Sequence, residues 1–289
     1  MLIITGANGT LGREAVQHVL DRVDDPAQVG VSVRDPQAAA PLAARGVRVR
    51  RGDFSDPASL RDAFEGVTQL LMISSNTRAG DTLAQHRAAI DAAVAAGARR
   101  IVYTSHMGAH PESAFPPARN HAATEQLLRD SGVAYTALRN GFYAVTAARF
   151  AAGALNDGAL ALPADGPVSW TTQSDLAEAA AIVLTDEGRF DGPTPPLTAA
   201  DAHTLDDLAA LLSQQTGREI ARTALSDADY KANLLAGGMP EPFADFTLGM
   251  FAAMRAGDFT AVEPTLEQLL GRRPTTLAEV IATVTPQAA

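Results

Sequence analysis

The segment Gly6-Ala-Asn-Gly9-Thr-Leu-Gly12 comes straight after the apolar run Leu2 to Thr5 and opens the amphipathic run Leu11 to Val23. Three glycines spaced this way at a strand-to-helix junction leave few folds open. The first permits a tight turn, the second lets the backbone approach a bulky anion, and the third lets the helix pack on the strand. Free N–H groups at the start of a helix accept negative charge, and side chains there would block the approach. Gly6, Asn8, Gly9, Thr10, Leu11 and Gly12 therefore read as the turn that cradles a dinucleotide pyrophosphate. A bare glycine-rich turn is the competing reading, and the surrounding pattern argues against it.

That pattern alternates short apolar runs with longer amphipathic ones. Val29 to Val33 precedes Pro36 to Arg45, and Val47 to Arg50 precedes Pro57 to Glu65. Gln69 to Ile73, Arg100 to Thr104 and Ala134 to Leu138 read as further strands, separated by helices over Thr82 to Ala96 and Ala118 to Asp130. Continuous apolar strands linked by helices predict an α/β fold, a Rossmann-type doubly wound parallel sheet with right-handed crossovers. Asp35-Pro36 and Asp56-Pro57 suit helix starts, with the carboxylate as N-cap and proline in the first turn. Beyond Asn140 the rhythm loosens among prolines, although Thr204 to Asp207 and the capping box Thr276 to Glu279 open two more helices. The expected division is a nucleotide-binding Rossmann domain over 1–150 and a smaller C-terminal α/β substrate lobe over 151–289, interleaved with the first.

In such a sheet, ligands collect at the carboxyl ends of the strands. After the second strand comes Arg34, a planar cationic fork suited to a 2′-phosphate, while Asp35 is accounted for as a cap. Arg34 thus favours NADPH over NADH, against the alternative of a solvated surface arginine. Asp53 and Phe54 end the third strand, placed to meet an adenine or simply to tie down a loop. Ser74, Ser75 and Asn76 end the fourth strand and Tyr103, Thr104 and Ser105 the fifth, facing the nicotinamide half of a dinucleotide. Two aromatic features stay open between core and pocket: Trp170, and the run Met239 to Phe259 with its large apolar face.

Composition narrows the chemistry. The 289 residues include no cysteine, which excludes thiol catalysis, iron–sulfur clusters and cysteine-built zinc sites. The six histidines show no metal spacing with carboxylates, so no metal site is expected. Thirty-three acidic residues against 23 basic ones give a net charge of −10, unsuited to nucleic acid or an anionic bilayer. No stretch has the length of a membrane span and no leader is recognisable, so a cytoplasmic protein with a small-molecule partner is expected.

The motifs in combination resemble the NmrA-like branch of the short-chain dehydrogenase/reductase superfamily. They are ITGANGTLG, VRDP after strand two, GDF after strand three, ISS after strand four, YTS after strand five, HAATE at His121 to Glu125, LRNGFY at Leu138 to Tyr143 and MPEPF at Met239 to Phe243. Within the branch they look most like the bacterial NAD(P)H:quinone oxidoreductases and triphenylmethane dye reductases. The resemblance implies that Asn140, Gly141, Phe142 and Tyr143 line the nicotinamide and substrate end of the site. It also implies hydride transfer from NADPH to a quinone or similar electron-poor conjugated acceptor, with a homodimer possible; the alternative is a non-catalytic NADP(H)-binding redox sensor.

Typical members of the wider superfamily use Tyr-x-x-x-Lys on the helix after strand five. This chain has one lysine, Lys231, preceded four residues earlier by Asp227, so that pair is absent. A quinone suits its loss, because hydride addition gives a stabilised phenolate that water can protonate. The corresponding helix carries His121 and Glu125 on one face, readable as an acid–base couple or as a plain helix-surface contact. No catalytic residue is assigned; His106, His121 and Tyr143 are the substrate-side candidates. The proline-rich loop after His106 reads as a lid or as an ordinary surface loop.

Overall fold

The computed structural model describes residues 1–75 and 81–285, which leaves the expected site residue Asn76 outside the described residues. Along the chain, β1 (Leu2–Thr5), α1 (Thr10–Leu20), β2 (Val29–Val33), α2 (Ala40–Ala43), β3 (Arg48–Arg51) and α3 (Pro57–Ala63) come first. They are followed by β4 (Gln69–Met72), α4 (Thr82–Ala95), β5 (Arg100–His106), α5 (Pro116–Asp130) and β6 (Ala134–Asn140). After these the chain forms β7 (Phe142–Tyr143), α6 (Val145–Asp157), β8 (Ala159–Pro163), β9 (Trp170–Thr171), α7 (Gln173–Thr185) and β10 (Gly192–Pro193). The last elements are α8 (Leu205–Thr216), β11 (Ala221–Leu225), α9 (Asp227–Ala236), α10 (Glu241–Ala256), α11 (Thr265–Leu270) and α12 (Leu277–Ala282).

Seven strands pair in the order β10-β6-β5-β4-β1-β2-β3, every pair parallel. All residues of β2 and β4 are buried, as expected of strands with both faces covered. β10 contains Pro193, which cannot donate to a ladder and so lies at the sheet edge. The order turns back on itself at β1, which lies between β4 and β2; this is the switch point where open α/β sheets gather ligands. Below it, Ile3, Leu60, Phe64, Leu70, Met72, Ile90, Ile101 and Tyr103 form one continuous core.

The chain divides into two compact units. The first comprises residues 1–106, 120–140 and 173–195 and holds the seven-stranded sheet; the second comprises 107–119, 141–172 and 196–289. The chain passes from one to the other several times, and the boundary expected near residue 150 falls within α6. In the second unit, β8 pairs with β11 and β7 with β9, all parallel. Its core is aromatic. Trp170 is 1% exposed, meets Phe142 edge-on and donates from its indole N–H to the His203 carbonyl, so it is a core residue. Met250, Phe251, Met254 and Phe259 are buried with it, which makes the 239–259 run mostly core, with Phe246 left exposed.

Several local expectations are corrected. The helix expected over 36–45 shrinks to a 3-10 turn at Gln37–Ala39 and one turn of α2, because Pro41 interrupts the amide ladder. Asp35 stands one position before the cap, Pro36, with its carboxylate accepting from Gln37 N–H at 2.9 Å. Asp56 instead gives its carboxylate to the Arg51 guanidinium at 2.7 Å. β5 and β6 run longer than expected and pair as far as His106 opposite Asn140. Among the described residues, no helix is long and apolar enough to cross a membrane.

Candidate active site

β1 delivers the chain into a turn that only glycine tolerates. Gly6 takes a φ of +64°, in the left-handed region. Its N–H donates to the Ser32 carbonyl at 3.2 Å, and its own carbonyl accepts from Gly9 N–H at 2.9 Å. A Cβ on Gly12 would stand 2.3 Å from that carbonyl oxygen, and one on Gly9 would stand 3.3 Å from it. Gly9 caps α1 without covering its first turn with a side chain, so amide donors and the positive end of the helix dipole stay open to an anion.

The other residues of the loop divide the work. Leu11 is 5% exposed with its side chain in the core, so it can offer a ligand only its backbone. Thr10 is exposed. Asn8 spends its side-chain amide on the Asp35 carbonyl at 2.8 Å, which ties the glycine loop to the segment just after β2. Arg34, in that segment, is exposed and has no hydrogen bond or ion pair among the described residues. An exposed guanidinium in the segment tied to the glycine loop, not neutralised by a carboxylate among the described residues, suits a 2′-phosphate. The residues present therefore fit NADP(H).

At the end of β3, Asp53 ties down its own loop: its Oδ1 accepts from Ser55 N–H and its N–H donates to Ser59 Oγ, both at 2.9 Å. Phe54 is half-buried and lies edge-on to His86, with ring centroids 6.4 Å apart. At the end of β4, Ser74 N–H donates to Thr104 Oγ1 at 2.8 Å. Ser75 Oγ donates to Gln85 Oε1 at 2.7 Å, and Gln85 Nε2 donates to Ser55 Oγ at 2.8 Å.

His86, one of the six histidines without metal spacing, holds the centre of this network. Ser75 N–H donates to its Nε2 at 2.9 Å, so the ring proton sits on Nδ1 and is shared with Thr124 Oγ1 at 2.8 Å. Thr124 in turn donates to the Asn120 carbonyl. Burial pushes His86 down to about 4, keeping the ring neutral at physiological pH. Its position on the buried face of α4, with Ala89, Ile90 and Ala93, gave no signal beyond the residue type.

Tyr103 was expected to face the cofactor. Its side chain instead has no exposed surface and lies in the core, with its hydroxyl 2.7 Å from His121 Nδ1. The His121 ring stacks on His106, with centroids 5.8 Å apart and planes inclined by 23°. Burial holds His106 at about 4 and His121 well below the ordinary histidine range, the latter helped by the neighbouring histidines.

His121 and Glu125, readable as an acid–base couple or as a helix-surface contact, each take other partners instead. Glu125, 4% exposed, takes both Nε and Nη2 of Arg139 at 3.1 and 2.8 Å and accepts from Ser105 Oγ at 2.6 Å. An ion pair of this kind positions α5 against β5 and β6 and leaves the carboxylate no freedom to relay a proton. Asn140, 1% exposed at the end of β6, has no partner for either side-chain amide atom among the described residues.

The remaining candidates lie in the second unit. Gly141 donates to the Leu197 carbonyl at 2.8 Å, and a Cβ there would stand 2.1 Å from Thr171 Oγ1, so packing alone accounts for this glycine. Phe142 belongs to the aromatic core, with its ring centroid 4.6 Å from that of Phe259. Tyr143 is half-buried beside it in β7. The proline-rich loop is pinned within this unit rather than free: Ser113 donates to Asp258 at 2.5 Å, and Phe115 packs on Phe142, Phe246 and Phe259.

Known proteins resemble the chain over nearly its whole length. Quinone oxidoreductase 2 of Escherichia coli K12 is 38% identical over 283 residues, 98% of each chain. The crystal structure of the NADPH-dependent quinone oxidoreductase from Escherichia coli in complex with NADPH superposes with a TM-score of 0.92 at 38% identity, covering 98% of this chain and 99% of that one. Triphenylmethane reductase of Citrobacter sp., solved with NADP(H), superposes with a TM-score of 0.90 at 35% identity over 99% of this chain and 100% of that one. An NAD(P)H azoreductase of Xenophilus azovorans is 30% identical over 96% of each chain. The NmrA-like family model matches residues 1–285, and the chain belongs to the NmrA-like family.

Proposed function

We propose that the chain is an NADPH-dependent oxidoreductase that passes hydride to a quinone or a similarly electron-poor conjugated acceptor. The observation that carries this reading is the open first turn of α1 behind Gly6 and Gly9, tied through Asn8 to the segment that carries the exposed Arg34, whose guanidinium has no partner among the described residues. Relatives that match nearly the whole chain carry names for chemistry of the same kind on quinones, azo compounds and triphenylmethane dyes.

NADPH supplies the hydride when bound. The backbone N–H groups of Thr10, Leu11 and Gly12 would meet its pyrophosphate and Arg34 its 2′-phosphate, while Asp53 and Phe54 bound the adenine side. The absent Tyr-x-x-x-Lys pair suits an acceptor whose reduced form is a resonance-stabilised anion. A simple ketone would leave a strongly basic alkoxide and would need a strong, well-placed acid.

The test is NADPH oxidation by purified protein with a panel of benzoquinones, naphthoquinones, a triarylmethane dye and unactivated aldehydes. Turnover confined to the conjugated acceptors supports the reading. Tight NADPH binding with no turnover on any of them would make the chain a sensor rather than an enzyme.

A further inference from the structure

The inference concerns the acceptor's oxygen and rests on the reading just proposed. β5 and β6 end side by side, with His106 opposite Asn140. His121, in the second turn of α5 and in the same unit, lays its ring on His106 and so stands at this carboxyl edge of the sheet, the edge where open α/β sheets bind ligands. Of its two ring nitrogens, Nδ1 meets the Tyr103 hydroxyl at 2.7 Å. Nε2 has no hydrogen-bond partner among the described residues, and this half-buried ring leaves it not fully enclosed.

We propose that His121 donates a hydrogen bond from Nε2 to the oxygen of a carbonyl-type acceptor, and that Tyr103, by donating its phenolic proton to Nδ1, holds the imidazole in the tautomer that can do so. The hydride leaves the nicotinamide with its electron pair, the acceptor is reduced by two electrons, and the negative charge arrives on its oxygen. The Nε2–H group stabilises that charge, and water supplies the proton that completes the hydroquinone. A neutral imidazole is a sufficient donor for this task and gives up no proton, which agrees with the burial that keeps the ring neutral. The phenol of Tyr103 is buried from every side, so it fixes the ring and does not itself reach an acceptor.

The chemistry of the acceptor provides the test. A triarylmethane cation takes hydride at carbon and becomes a neutral leuco dye, so no oxyanion forms. Steady-state kinetics of His121→Phe with malachite green and with quinones of increasing electron richness separate the two cases. The expected loss on quinones is about tenfold to a hundredfold, the value of one hydrogen bond to a charged group, and it grows as the quinone becomes more electron-rich. On the dye the variant should stay within about twofold of wild type, since no interaction of that kind is lost. Tyr103→Phe should show the same selectivity with a smaller loss. His121→Gln, which keeps an N–H donor, should recover most of the quinone activity; it also serves if the phenylalanine variant does not fold.

Equal losses on dye and quinone, or undiminished quinone reduction, would overturn the assignment of His121 while leaving the proposed activity intact. A wild-type protein that reduces neither acceptor overturns the activity and the role of His121 together.

Discussion

A Cβ placed on Gly12 would stand 2.3 Å from the carbonyl oxygen of Gly6, so the helix that follows the turn packs against the turn itself. Side chains at Gly12 and at Gly9 should therefore fail differently. Gly12→Ala meets backbone that cannot give way and should destabilise the fold. Gly9 has an extended backbone and a 3.3 Å neighbour, so Gly9→Val should fold with a modest loss but exclude the pyrophosphate. Thermal shift with NADPH checks this: the wild type should be stabilised by the ligand and folded Gly9→Val should not.

Arg34 gives a second expectation. Removing a guanidinium that meets the 2′-phosphate should cost about 1.5 to 3 kcal/mol of NADPH binding, roughly tenfold to a hundredfold in affinity. NADH lacks that phosphate, so its affinity should barely change. Titration of wild type and Arg34→Ala with both cofactors separates this contact from general damage, which would weaken both alike.

Buried histidines make stability depend on pH. His86 is neutral when folded, with its affinity for protons lowered to about 4, whereas in the unfolded chain it titrates near the ordinary value of about 6.5. As pH falls from about 6.5, the unfolded state takes up a proton that the folded state refuses, so stability is complete above that value and is lost towards pH 4. His86 alone contributes about 3 kcal/mol to the change, and His106 and His121 act in the same direction. Denaturation midpoints at pH 7.5 and pH 5 should diverge in the wild type and come closer together in His86→Gln.

Glu125 predicts a structural rather than a chemical defect. Replacing it with alanine strands Arg139 and Ser105, at a cost of about 2 to 3 kcal/mol. The lower part of the range for such pairs applies because 32% of the Arg139 side chain reaches solvent. A melt should show the loss. The ratio of quinone to dye turnover should stay at the wild-type value, in contrast to that of His121→Phe.

The parallel sheet and the glycine turn after its first strand were legible in the sequence because their constraints are local. Gly6, Gly9 and Gly12 sit within one turn, Arg34 marks the end of a strand, and an apolar run buried on both faces announces a parallel strand. The polar edge was not legible, because its partners meet only after folding. The 121/125 spacing places the two side chains on one face of α5, but it says nothing of Tyr103, 18 positions away, or of Arg139, 14 positions away, which take them instead. His86 was hidden for the same reason, since its partners Ser75 and Thr124 come from opposite sides of it in the chain. Gly141 and Phe142 pack within the second unit through Thr171, Leu197 and Phe259, contacts that the sequence does not announce.

The central claim is that hydride passes directly from NADPH to the acceptor. It is tested most directly by a single-turnover comparison of NADPH with NADPH carrying deuterium at the transferring C4 position, using a quinone and protein free of flavin. The account predicts slower reduction with the deuterated cofactor from one stereochemical face only, and no need for added flavin. Equal rates with both cofactors, or turnover that appears only when flavin is supplied, would contradict it.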